Sequence, residues 1–551
     1  MTPQNNLRKT LITLGLLISL FACQKEDITV PPPPGVGGEV EVGSGISVDE
    51  LDTYAGEIGL LLNAREIARK GYMPAKAVVN IEAPSGKFSK TVDLNEFSFM
   101  GQIKLPVDEL SAGAKKELTD GVPVSVTLTD QEGKTIVSDL SLGTVSFLPG
   151  PSPQTLLPAN LPETNESAEI ELNSGTAYYL QKVKSDGTPL TQCMRFNPDP
   201  NYGNIITVGT NTTFAGEQPN DVFNFHPVPG ASNTFYIRIE KTGELLQSAL
   251  IVTLGSGGLA IHNAPRNSLS KASLGYNLSN DYKFKLQKIR EGVYVLKNFE
   301  GKVVKAAAGI GLTFDHPTGE PIYWRPIAKD ISWTVQPIAS DIITPVLPKA
   351  KTGFSFNSTL RNCGSGDLTQ EVGADFSEVR TNTFGWAESI SINNSSSQSV
   401  SATIGVAFDA KFFGTGAIYD ASVSTSFDWS QSVTTETSKH HSEDVTQAKT
   451  YFSKRSIVVP AKKASLVYDA YQFYENVRVD FVQRVRLSGI DEDGKALSGK
   501  QIRSLFQFTR FNGVINKVEA NSVVFTLRGY TVLDKFMETQ SNVEEVPARC
   551  N

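Results

Sequence analysis

Apolar and polar residues alternate from Val400 to Trp429, through VSATIGVAFDAKFFGTGAIYDASVSTSFDW, with one break at Gly414-Thr415-Gly416. Side chains on a strand point to opposite faces in turn. The outward leg therefore places Val400, Ala402, Ile404, Val406, Phe408, Ala410 and Phe412 on one face. Ser401, Thr403, Gly405, Ala407, Asp409 and Lys411 share the other. On the return leg Tyr419, Ala421, Val423, Thr425, Phe427 and Trp429 oppose Asp420, Ser422, Ser424, Ser426 and Asp428. A two-residue turn at Thr415-Gly416 predicts Phe412 opposite Tyr419, Phe408 opposite Val423, Ile404 opposite Phe427 and Lys411 opposite Asp420. Both apolar faces then coincide, whereas a one-residue slip mixes them. The tip is apolar on both sides, through Phe412, Phe413, Ile418 and Tyr419. Such a ribbon fits two environments. One is a soluble sheet with one face on a core. The other is the wall of a membrane barrel, which needs about 9–11 tilted residues per strand. A single hairpin leaves open edges in lipid, so the second environment requires several chains.

The remainder of the chain also reads as mainly β and multidomain. From Ser44 to Phe147 a helix is expected first, then the runs AVVNIEA, FSKTVDL, VPVSVTLTD and KTIVSDLSL, broken by the turns APSGK and DQEGK. An immunoglobulin-like sandwich over 44–150 is expected, serving as a spacer. Farther on, FNFHPV at Phe223, FKLQKI at Phe284 and WTVQPI at Trp333 share an aromatic-x-apolar-x-x-apolar core, and YYLQKV near Tyr178 echoes it. A period of this size argues for units that complete a shared core. Three units of four strands over 160–340 resemble the ricin-type β-trefoil, although the Gln-x-Trp signature of its sugar-binding repeats is not intact. The resemblance implies a lectin-like domain and a glycan or glycosylated receptor as partner. It assigns no sugar-contacting residue.

The N-terminus changes the setting. Arg8 and Lys9 precede LITLGLLISLFA, too short to span a bilayer and suited to a secretory apolar region. The following LFAC resembles a bacterial lipoprotein signal, which implies removal of residues 1–22 and acylation of Cys23. QKED, directly after it, is similar to the export signal of Bacteroidetes surface lipoproteins. The implied place is the outer membrane or cell surface, with release as an option. PPPPGVGG then reads as a tether over 23–43. Cys193, Cys363 and Cys550 leave an odd number for an oxidising compartment. The pairing favoured is Cys363 with Cys550, because both fall in the last domain.

That last domain, 350–537, resembles the pore-forming module of the aerolysin and clostridial epsilon-toxin family. The likeness rests on the hairpin, the Ser/Thr-rich SVTTETSKHHSEDVTQAKTYF, and SIVVPAKKASLVYDAY with its Val-Val-Pro turn into a long strand. It implies an elongated β domain, self-association into a ring, and refolding of the hairpin into a barrel through a target membrane. The lipid face would be the apolar set above. Asp409, Asp420 and Asp428 against Lys411 would line a cation-favouring lumen. The tail 538–551, METQSNVEEVPARCN with its neighbours, is expected as a removable plug clamped by Cys550. A surface glycan-binding lipoprotein that never inserts is the alternative.

Charge and motifs narrow the rest. The chain has 51 basic and 58 acidic residues, which gives no basic field for nucleic acid. No Gly-x-Ser-x-Gly elbow, His-Glu-x-x-His, P-loop or dinucleotide fingerprint occurs. The five histidines, His226, His262, His316, His440 and His441, form no metal-ligand spacing. Neither enzyme activity, cofactor nor metal is expected.

Overall fold

Short alternating runs become strands locally, but long-range pairing decides which sheet each joins. The computed structural model describes residues 41–47, 57–106, 111–147, 154–156, 169–172, 174–199, 203–211, 219–251, 256–262, 279–307, 311–314, 319–343, 351–388, 400–408, 421–429, 442–509 and 511–550. The first strand, β1 (Glu41–Ser44), pairs with the last domain. Then come β2 (Glu57–Asn63), α1 (Arg65–Arg69), β3 (Lys76–Ala83), β4 (Gly86–Asp93), β5 (Met100–Pro106), α2 (Ala112–Asp120), β6 (Val122–Thr129), β7 (Thr135–Val145) and β8 (Gln154–Leu156). An antiparallel sheet β4-β3-β6-β7 and a smaller sheet β5-β2-β8 share one core, built by Leu60, Leu62, Val79, Ile81, Ile103, Val124 and Val126.

The helix expected at the start of this sandwich is a strand. Leu60, Leu61 and Leu62 are each fully buried: the first and third enter the sandwich core, and Leu61 packs with Val482 of the last domain. A strand covered on both faces shows a continuous apolar run, which periodicity alone cannot tell from a helix. Helix α1 has only five residues.

The second body contains β9 (Ala177–Val183), β10 (Pro189–Asp199), β11 (Gly203–Thr210), β12 (Val222–Pro227), β13 (Thr234–Ile239), β14 (Leu245–Ile251), β15 (Ser256–His262), β16 (Lys283–Arg290), β17 (Val293–Lys297), β18 (Lys305–Ala307), β19 (Gly311–Thr313) and β20 (Tyr323–Ala328). Six strands pair in a closed circuit, β9-β12-β13-β16-β17-β20 and back to β9. Three hairpins, β10–β11, β14–β15 and β18–β19, cap it and touch one another through β15. This is a β-trefoil of three four-strand units. Its centre is aromatic, with Phe225 edge-on to Tyr178 and Phe235 at centroid distances of 5.6 and 5.5 Å.

The third repeat is not where the sequence pattern put it. Trp333 lies on β21 (Ser332–Ile342), which pairs outside the trefoil, and the counterpart of FNFHPV and FKLQKI is β20, YWRPIA. An aromatic followed by alternating apolar residues describes any half-buried strand, so the motif cannot distinguish the two.

The third body continues with β22 (Lys351–Arg361), β23 (Leu368–Val372), β24 (Phe376–Trp386), β25 (Val400–Phe408), β26 (Ala421–Trp429), β27 (Ser442–Phe452), β28 (Arg455–Val459), β29 (Ala464–Ile490), α3 (Gly499–Gln507), β30 (Val514–Val518) and β31 (Val523–Val546). Its sheet runs β1-β22-β29-β31-β24-β27. Strand β29 has 27 residues, about 90 Å at the usual rise, and pairs with β31 from Ala464–Val546 to Leu487–Val523. One end of β29 carries β22 and the other β21. Helix α3 starts with a reciprocal Ser498/Gln501 capping box and joins the trefoil, where Tyr294 Oη donates to Gln507 O at 3.1 Å.

Two expected appendages are sheet strands. The tail meant as a plug continues β31, paired to β29 as far as Val546, with no boundary at residue 538. The end of the expected tether is β1, on the edge of β22, where Thr359 Oγ1 donates to Ser44 O at 2.8 Å. In both segments, backbone pairing with a neighbouring strand overrides a polar composition that reads as loop.

Candidate functional site

The hairpin is an insertion between two strands that pair with each other. Strands β24 and β27 run antiparallel from Ser377–Thr450 to Gly385–Ser442. The inserted strands β25 and β26 pair as a separate ribbon, from Val400–Trp429 to Phe408–Ala421, and β25 lies alongside β21.

The register differs by two residues from that expected. Phe408 stands opposite Ala421 instead of Val423, and Ile404 opposite Thr425 instead of Phe427. A side-chain period of two cannot sense a shift of two. Face parity survives. Val400, Ala402, Val406 and Phe408 share a face with Trp429, Phe427, Val423 and Ala421, while Ser401 stands opposite Asp428, Thr403 opposite Ser426 and Ala407 opposite Ser422. Phe412, Phe413, Ile418, Tyr419, Asp409, Lys411 and Asp420 lie outside the described residues, as do Cys23, His316, His440 and His441.

The outer and inner pairs share one numbering parity among the described residues. From Ser377 onward, odd-numbered residues of β24 face even-numbered residues of β27, and the same is true of β25 and β26. The Ser/Thr-rich positions of the outer pair, Ser377, Thr381 and Thr383 against Asp444, Thr446 and Thr450, thus have the same numbering parity as those of the inner pair.

The end of β24 nearest the insertion is firmly held. Trp386 is buried edge-on to Phe481 at 5.3 Å. The ring of Tyr530 occupies the space beside Gly385, where a Cβ would come within 2.7 Å of it, and the guanidinium of Arg478 lies 4.1 Å above that ring. The backbone N–H groups of Ala387 and Glu388 both donate to Arg528 O, at 3.0 and 3.1 Å. The Glu388 carboxylate meets Arg65 and Arg69 of α1, residues that no sequence pattern singled out.

At the far end of β29, Cys363 and Cys550 form a disulfide with a Cα–Cα distance of 5.6 Å. It ties the end of β31 to the turn after β22. Cys193 is free and buried in the trefoil, and burial pushes its thiol well above the ordinary range. His226 is buried with no hydrogen-bond partner for either ring nitrogen among the described residues. Burial, helped by Arg238, lowers its pKa to about 4. Among the described residues no group of three or more His, Cys, Asp or Glu could hold a metal ion. None of the described helices is long and apolar enough to cross a membrane, which says nothing of crossing by strands.

No protein family matches the sequence, and no curated protein does. Solved structures resemble parts of the chain, and β-pore-forming proteins, toxins and β-trefoil proteins are among them. The Mpp75Aa1.1 β-pore-forming protein from Brevibacillus laterosporus has 12% identity and a TM-score of 0.22, over 39% of this chain and 76% of its own. Lamprey immune protein has 10% identity and a TM-score of 0.24, over 69% and 95%. ThreeFoil, a designed 3-fold symmetric protein, has 12% identity and a TM-score of 0.20, over 27% and 96%. Likenesses this distant assign no activity to the chain.

Proposed function

We propose that this is a β-pore-forming, toxin-like surface lipoprotein. The trefoil engages a glycan or glycosylated receptor on a target membrane, copies associate into a ring, and the β25–β26 hairpin inserts as part of a transmembrane barrel. The protein is not an enzyme. The observation that carries this reading is the shared parity of β24–β27 and β25–β26. It lets the outer and inner pairs join as one ribbon whose small polar side is continuous and whose inner part is apolar on the opposite side. A ribbon of that kind suits a barrel with a hydrated lumen and a lipid-facing band.

The test uses the alternation itself, in dye-leakage assays on receptor-bearing vesicles. Ile404→Asp and Val406→Asp put an uncompensated charge on the lipid face near the bilayer centre and abolish leakage. Thr403→Asp and Ser424→Asp, on the lumen face, keep it. Equal loss from both faces, or no leakage from the unmodified protein on any susceptible membrane, sinks the reading. The second reading, a glycan-binding lipoprotein that never inserts, draws on the disulfide and the β1 strap, which both secure one end of the elongated sheet. Glycan binding without leakage would favour it.

A further inference from the structure

A spacer domain needs no contact with the machinery beyond it, yet the sandwich places a buried ion pair at the root of the hairpin. Arg65 is 1% exposed. Its Nε donates to Glu388 Oε1 and its Nη2 to Glu388 Oε2, both at 2.6 Å. The remaining donors go to Ser98 O at 3.1 Å, Thr526 Oγ1 at 3.2 Å and Thr526 O at 2.9 Å, so all five guanidinium N–H groups have acceptors. Arg69 adds Nη2 to Glu388 Oε1 at 2.7 Å, and the Arg528 backbone N–H donates to Oε2 at 2.9 Å. Glu66 and Gly513 O take the rest of Arg69, and Asp480 takes the Arg528 side chain.

Position gives this cluster its meaning. Glu388 lies two residues past the end of β24, and the next described residue along the chain is Val400, the first of β25. The sandwich therefore grips the last described residue before the hairpin strands. Buried ion pairs are poor sources of net stability, and apolar side chains of similar volume often do as well or better. What such a pair supplies is an all-or-none contact: if Arg65 moves away, a carboxylate is left buried and uncompensated.

We propose that the sandwich is an autoinhibitory clamp, in which Arg65 and Arg69 of α1 hold Glu388 and with it the start of the hairpin segment, and that the hairpin leaves its resting place only when this ion pair opens. What release accomplishes rests on the insertion reading above; the clamp itself does not.

Hydrogen–deuterium exchange on the full-length protein, read at Val400–Phe408 and Ala421–Trp429, tests it. Glu388→Gln is expected to speed exchange there by about tenfold or more, and the milder Arg69→Gln by about threefold. Arg195→Gln breaks a comparable pair with buried Asp221 in the trefoil and should leave hairpin exchange unchanged. Leakage of dye from phosphatidylcholine vesicles doped with target-cell lipid extract is measured on the same samples. Faster exchange with more leakage supports both the clamp and the pore. Faster exchange without leakage supports the clamp and counts against the pore. Unchanged hairpin exchange in Arg69→Gln, with the trefoil still protected, overturns the clamp, and this variant decides the matter alone if Glu388→Gln does not fold.

Discussion

His226 shows how one side chain sets a pH limit on the trefoil. It lies on β12 opposite Tyr236, buried and unpartnered, with Arg238 close enough to disfavour a second positive charge. Its folded pKa of about 4 lies below the unfolded value near 6.5, so the unfolded chain binds the extra proton between these values. The stability tied to this group is complete above pH 6.5 and is lost as pH falls toward 4. At pH 5 the loss is on the order of 2 kcal/mol. Urea unfolding at pH 7.5 and pH 5 should therefore show a smaller pH effect in His226→Leu than in the unmodified protein. An unchanged pH effect would show that the imidazole titrates normally in the fold. Arg65 and Glu388 carry no comparable mark in the sequence: they are 323 positions apart, and each belongs to a stretch with ordinary neighbours.

At the scale of elements, the hairpin and β31 teach opposite lessons. The faces of β25 and β26 could be read from alternation because parity is a local property. Their pairing could not, since shifts by two leave alternation intact. The segment containing Glu538, Glu544 and Glu545 is expected from the sequence as a removable acidic plug. Its backbone groups are nevertheless paired to β29 up to Val546, and the disulfide closes a separation of 187 residues. Cys550→Ser should lower stability by about 2–4 kcal/mol. Exchange should rise first in Ser541–Val546 and Ala464–Val467, the pairs nearest the bond. Equal loosening throughout the trefoil would contradict this locality.

For the whole molecule, the two ends of β29 define the layout. Strands β1 and β22, with the disulfide, gather at the Ala464 end, whereas β21 and the path to the trefoil gather at the Ile490 end. An acyl group on Cys23 would be tied to the first end through 18 residues, at most about 65 Å of chain. The path to the trefoil leaves from the Ile490 end, about 90 Å of strand from the Ala464 end. Deleting residues 41–47 removes the edge strand from β22. Exchange at Ser358–Arg361 should rise more than about tenfold, and self-association through the bared edge should increase in light scattering. The trefoil should stay protected. No change at β22 would mean that β1 does not hold that edge in solution.

Local chemistry was enough to determine that the chain is mainly β and that one hairpin has an oily and a small-polar face. These features follow from side-chain alternation and turn residues, which act over a few positions. Tertiary structure alone decided that Leu60–Leu62 form a strand, that Trp333 leaves the trefoil, that β1 and the C-terminal segment join the long sheet, and that a helix of the sandwich grips Glu388. Each of these depends on a partner tens to hundreds of residues distant or on burial from a second side. Backbone hydrogen bonds and buried charges accept any sequence that brings the right atoms together, so they leave no local trace.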